Sequence, residues 1–127
     1  MTANWKKKEN FVRKVLSKRY GAIFEEREVH LLGTKKGYKF DLVSSDGSIV
    51  GEVKSYVYSM PSGGRPSGKI AHASEACLFL MHAKGAKRKL LIFTDKEFFE
   101  NYKKERQGQI AEFNGIELIL VEWKKEA

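Results

Sequence analysis

Through the first twenty positions apolar residues return at helical spacing, and afterwards the pattern turns to alternation. Trp5, Val12, Leu16 and Tyr20 fall on one stripe and Gly21 follows as a stop, which predicts a helix over 5–20. Mixed alternation over 22–32 predicts a strand that ends in the turn-forming run Gly33-Thr-Lys-Lys-Gly37. Two more strands, 38–43 and 48–58, are joined through Asp46-Gly47, a strong hairpin signal. The Pro/Gly/Ser-rich stretch 59–68 reads as a mobile surface loop. Beyond it the pattern predicts a helix over 69–84, a strand over 89–94, a helix over 95–107 with Asp95 as its N-cap, and a strand over 116–123. The order αβββαβαβ within 127 residues predicts one α/β domain, 1–127, whose mixed sheet is flanked by helices.

Composition narrows the class. A hydrophobic fraction of 42% excludes a disordered polyelectrolyte and can fill one core. No apolar run approaches the ~20 residues of a bilayer span. Lys6, Lys7 and Lys8 near the N-terminus have no apolar stretch behind them, so no secretory leader is expected and a cytoplasmic location is the default. The lone Cys77 agrees with a reducing compartment. Lys+Arg 24 against Asp+Glu 16 gives 24 − 16 = +8, and residues 1–40 alone hold 11 basic and 4 acidic groups, +7. That asymmetry points to a polyanionic partner, most simply nucleic acid, although a solubilising surface explains charge alone equally well.

The candidate chemistry lies in the hairpin. With a two-residue turn at Asp46-Gly47, Val43 faces Val50 and Asp41 faces Glu52, with Cβ atoms about 4.5–5.5 Å apart, where like charges repel. Lys54 is two residues past Glu52 and on the same face, while Ile49, Gly51 and Val53 form the opposite, expected core face. Glu9 falls inside the apolar stripe of the first helix, at about 40° from Trp5, and should point inward. A carboxylate there is costly unless paired or bound to metal. Together Glu9, Asp41, Glu52 and Lys54 describe a hard, oxygen-rich site suited to Mg²⁺, with Mn²⁺ able to substitute. Such an ion polarises a phosphodiester and acidifies a bound water, and Lys54 can orient that water or stabilise developing negative charge. Taken singly, each residue also fits an exposed hairpin face with a minor ion pair.

Phe40-Asp41, ten residues, then Glu52-Val53-Lys54, after a helix bearing Glu9, resembles the PD-(D/E)XK nuclease superfamily. The predicted αβββαβ order resembles its restriction-endonuclease-like core from about residue 4 to residue 95, with a helix and strand added. Among its branches, a small chain with a Glu on the first helix is similar to the archaeal Holliday-junction resolvases and related small nucleases. The resemblance implies a Mg²⁺-dependent deoxyribonuclease, an endonuclease rather than an exonuclease, acting on double-stranded or branched DNA. It implies that Asp41 and Glu52 bind the metal with the Val53 backbone carbonyl, that Lys54 is the catalytic lysine and that Glu9 completes the acidic cluster. Two features depart from the pattern: Phe40 stands where Pro often precedes the Asp, and Lys69 and His72 occupy the helix that carries Gln-x-x-x-Tyr in one large branch.

Two other readings remain beside it. A nucleic-acid-binding module could keep the fold without catalysis. Gly63 to Ile70 also fits the G-x-x-x-x-G-K phosphate loop, which would make the chain a nucleotide-binding protein using Lys69; against it, Ile70 replaces the metal-binding Ser/Thr. Under the nuclease reading, Arg65, Lys69 and His72 are expected to contact phosphates, as are Lys35, Lys36 and Lys39. A homodimer is compatible with a cut on both strands, but no residue demands it. Ile70, Ala73, Cys77, Leu80 and Met81 make a core stripe on the second helix, and Phe98, Phe99 and Tyr102 one on the third.

Overall fold

The computed structural model describes residues 4–106, 109 and 115–123. Its elements follow the predicted order: α1 (Asn4–Tyr20), β1 (Phe24–His30), β2 (Gly37–Ser44), β3 (Ile49–Lys54), α2 (Ser67–Met81), β4 (Arg88–Phe93), α3 (Lys96–Arg106) and β5 (Ile116–Leu120). The expected end of the third helix at Gln107 lies outside the described residues. The strands form one sheet in the order β1-β2-β3-β4-β5. β1, β2 and β3 pair antiparallel, whereas β3, β4 and β5 pair parallel, so the sheet is mixed. No helix of the described residues is long and apolar enough to cross a membrane.

Both faces of the sheet are covered. Val12 and Leu16 of α1 pack with Phe24, Leu42, Val53, Leu90 and Ile92 on one side. On the other side, Ile70, Ala73, Cys77 and Leu80 of α2 and Phe98 and Tyr102 of α3 pack with Phe40, Val43, Val50, Leu91 and Phe93. The second layer corrects the expectation of a single core face on β3. A parallel β3–α2–β4 connection lays its helix on the sheet, so Val50 and Glu52, assigned to an open polar face, are buried under α2. Each fully buried large apolar side chain contributes about 1.5–3 kcal/mol through area removed from water. Cys77 sits in this layer with Sγ 3.8 Å from the Tyr102 hydroxyl, and burial pushes its thiol up.

Local chemistry sets the element ends. Asp95 caps α3 as expected, its Oδ2 accepting from the Phe98 N–H at 3.0 Å. The hairpin turn is wider than two residues: the Gly47 N–H donates to the Ser44 carbonyl at 2.8 Å, and Gly47 takes φ 75°. Asp46 Oδ1 braces that turn by accepting from Ser48 N–H and from the Ser44 hydroxyl. Val43 still faces Val50, so the register beyond the turn is the predicted one.

Gly51 is required by close packing on the α1 side. A Cβ there would collide with Leu42 Cδ1 and lie 3.0 Å from Ile92 Cδ1, both in a filled core. Gly51→Ala is therefore expected to destabilise the protein by about 1–3 kcal/mol, read as a lower urea midpoint at unchanged slope. An unchanged midpoint would mean that Leu42 can move aside.

Candidate active site

Pairing between β2 and β3 covers only Leu42 with Gly51 and Val43 with Val50. Beyond that the strands part, and side chains take over the ladder. The Asp41 N–H donates to Glu52 Oε1 at 3.0 Å, and the Val53 N–H donates to Asp41 Oδ2 at 2.8 Å. Each carboxylate accepts from the backbone of the other strand, where a carbonyl would stand in a continued sheet. The cleft opened by this parting has a volume of about 490 Å³ and is lined by Trp5, Glu9, Tyr38, Asp41, Glu52, Val53, Lys54, Ser55 and Tyr56. It lies at the carboxyl end of β3, where open α/β sheets commonly bind ligands.

A β-bulge aims Asp41. Glu25 pairs with Val43 but Arg27 pairs with Phe40, so Glu26 of β1 opposes both Asp41 and Leu42. Phe40 and Val43 then pack toward α2, whereas Leu42 packs toward α1. This corrects the expectation that Asp41 and Glu52 face each other across one flat sheet surface. Asp41 is turned toward α1, and its carboxylate meets those of Glu9 and Glu26, with one oxygen of each within 4.8 Å of the others. Glu52 stays on the α2 side and is 3% exposed.

The four residues singled out for chemistry line the same cleft, Tyr38 lines it with them, and Glu26 meets Asp41 from the neighbouring groove. Glu9 is buried, as the helical stripe predicts, and Arg13 one turn later reaches its Oε1 at 3.4 Å. The Arg13 Nε also donates to the Asp41 carbonyl at 3.0 Å, fixing α1 on β2. Lys54 ends β3, half-buried, with Nζ 5.9 Å from the Tyr56 ring centroid. Val53 supplies a wall of the cleft, and its side chain anchors in the α1-side core. Glu26 and Tyr38 escaped the sequence reading. Only the bulge brings Glu26 to Asp41, and Tyr38 stood in the pattern as another aromatic strand residue.

Burial raises the proton affinity of the carboxylates in the cleft. Burial, then the Asp41 charge, pushes Glu9 up to about 7. Burial also raises Asp41 and Glu52, and the neighbouring Asp41 charge adds to the rise at Glu52. Lys54 and Arg13 pull in the opposite direction without compensating. The donor set is oxygen only, with no His or Cys among the lining residues. Such a set fits a hard divalent cation and no soft one.

Tyr38 holds Glu52 from the other side. Its hydroxyl donates to Glu52 Oε2 at 3.0 Å while its ring stacks on Phe79 of α2, centroids 4.2 Å apart. Tyr38→Phe would leave that buried oxygen without a donor, which costs about 1–3 kcal/mol and favours the protonated acid. The acidic limb of any Glu52-dependent activity should therefore move to higher pH. A loss of stability with an unmoved pH profile would reduce Tyr38 to a packing residue.

The residues expected on phosphates are placed differently. Arg65 pairs with Glu105 at 2.8 Å, and Lys69 donates to the Val57 carbonyl at 2.8 Å. His72 Nδ1 lies 3.3 Å from the Tyr56 hydroxyl, at the margin of the cleft. Lys39 pairs with Glu26 at 2.9 Å. Lys35 and Lys36 are exposed in the turn after β1, which is tied to the end of α2 by Leu32 N–H on the His82 carbonyl. The 55–66 segment is held by Lys8 on the Ser55 carbonyl at 3.1 Å and by Tyr58 N–H on Asp95 Oδ2 at 3.0 Å.

Comparisons with family models, with curated proteins and with solved structures find no match to this chain.

Proposed function

We propose that this protein is a metal-dependent nuclease of the restriction-endonuclease-like type, hydrolysing phosphodiester bonds of DNA. One observation carries the reading: Asp41, Glu52 and Lys54, chosen from their spacing, and Glu9, chosen from a helical stripe, line one cleft at the point where β2 and β3 part. An ordinary hairpin face would expose these groups to solvent. Here Glu9 and Glu52 are buried at the cost of raised proton affinity, and a charge supplied from outside would relieve it.

Asp41 and Glu52, with Glu9 beside them, would hold Mg²⁺ or Mn²⁺. Bound there, the ion would supply Lewis acidity toward a phosphate oxygen and a more acidic water. The chain's own groups do the rest. Tyr38 and the Asp41 N–H orient Glu52, and the Val53 N–H orients Asp41. Lys54, whose ammonium makes no hydrogen bond among the described residues, offers it to the charge that develops on the phosphate or to the attacking water. The +7 of residues 1–40 supplies attraction for a polyanion around an acidic centre that would otherwise repel it.

The test is a cleavage panel of duplex, single-stranded, flapped and four-way DNA, with RNA alongside, each in Mg²⁺, Mn²⁺ or EDTA. Cleavage of a DNA member that EDTA stops is expected. No cleavage of any member, with retained salt-sensitive DNA binding, would favour the non-catalytic binding module instead.

A further inference from the structure

Trp5 is the largest apolar side chain left open on this surface. It heads the stripe that predicts a buried helix face, yet it is 49% exposed while Glu9, Val12 and Leu16 go inward. The first turn of α1 stands over the cleft instead of over the sheet. Trp5 and Glu9 together line two neighbouring cavities: the acidic cleft, and a groove of about 520 Å³ whose other walls are Lys6, Asn10, Arg13, Phe24, Glu25 and Glu26. Among the described residues no other ring packs on Trp5, in contrast to Trp123, which meets Phe11 edge-on at 5.4 Å. The Lys6 ammonium lies 5.5 Å from the Trp5 ring centroid.

We propose that Trp5 and the groove beside it form a stacking site for one unpaired nucleobase next to the phosphate in the acidic cleft. The proposal rests on the nuclease reading and narrows its substrate to a strand with an unpaired nucleotide at the cut: a flap, a frayed end or a branch point. An indole face matches any base by stacking. Lys6 over one face of the ring, leaving the other for a base, and Lys8 at the Ser55 carbonyl place positive charge where the flanking phosphates would run. Glu25 and Glu26 on the far wall of the groove are paired with Arg27 and Lys39, so that wall presents compensated charge, which suits an uncharged base. A base within a continuous duplex could not reach the ring without unpairing.

Binding in EDTA tests this without asking for catalysis. Oligo(dT) and a closed hairpin duplex are titrated against the wild type, Trp5→Ala and Trp5→Phe, following affinity and intrinsic tryptophan fluorescence. Trp5→Ala should lose about 5- to 150-fold in oligo(dT) affinity, the value of one base–aromatic stack, while its duplex affinity stays within about twofold. Trp5→Phe should retain most of the affinity and lose the fluorescence quenching, since Trp123 is then the only indole. Equal oligo(dT) affinity in wild type and Trp5→Ala overturns the proposal, as does an equal loss on both ligands. Mg²⁺-dependent cleavage with no Trp5 dependence overturns the stacking site and leaves the nuclease reading intact. Trp5-dependent binding by a chain that cleaves nothing does the reverse.

Discussion

Glu52→Gln protein should cleave DNA about 10³-fold more slowly than wild type, or not measurably, while melting close to it. The carboxylate of Glu52 accepts from the Asp41 N–H and from the Tyr38 hydroxyl. A glutamine keeps its carbonyl oxygen toward the backbone donor and turns its NH₂ toward Tyr38, whose hydroxyl can accept as well as donate. The fold therefore loses little. What disappears is one negative charge from the carboxylates that line the cleft, and with it part of the proposed hold on a hard cation and the catalysis that ion would supply. Lys54→Ala should fall by about 10²–10³, the usual cost of one electrostatic stabiliser, and Mg²⁺ binding should survive in it. The two variants thus separate holding the metal from using it. Full activity in well-folded Glu52→Gln would remove the proposed centre, because among the described residues Glu52 is the carboxylate that reaches the cleft from the α2 side.

Legibility in the sequence followed the range of the interaction that places each residue. Helix periodicity is local, so the inward position of Glu9 and the α2 and α3 core stripes could be read directly. Asp95 was legible as a cap for the same reason. Hairpin register is nearly local, and the pairing of Val43 with Val50 follows from the turn signal even though the turn itself is wider than expected. The bulge at Asp41 and Leu42 depends on β1, fourteen or more residues earlier, and nothing in the alternation of β2 announces it. Without the bulge, simple alternation puts Asp41 on the α2 side of the sheet and gives no sign of Glu26. The second buried face is not legible because Val50, Glu52 and Lys54 alternate as a half-exposed strand does. Only the crossover through α2 covers them.

The same burial gives the metal-free protein an unusual dependence on pH. Glu9 in the folded chain takes a proton up to about pH 7, because of burial and then Asp41, against an unfolded value near 4.3. Asp41 and Glu52 are raised in the same direction. Groups that hold protons more tightly when folded contribute stability below their unfolded pKa, and that contribution is lost as pH rises through the folded value. Stability in EDTA should therefore fall between about pH 4.5 and 7. Asp46, held near 2 by its Ser48 and Ser44 hydrogen bonds, acts in the other direction but only in stronger acid, so it leaves this window alone. Mg²⁺ should reverse the loss at pH 8, where the carboxylates are charged and no protons compete for them. Asp41→Asn keeps an oxygen for the Val53 N–H while removing the charge that raises both Glu9 and Glu52. At pH 8 in EDTA it should be as stable as wild type or more stable by roughly 0.5–1 kcal/mol, with a flatter pH dependence and little response to Mg²⁺. Its cleavage activity should be lost at the same time, since a site that strains the empty fold is retained for what it binds. Melts of both proteins at pH 5 and pH 8, with EDTA and with Mg²⁺, contain the whole comparison. A wild type that grows more stable from pH 5 to pH 8 in EDTA, or a Mg²⁺ shift equal in both proteins, would show that these carboxylates are held by hydrogen bonds alone and need no cation.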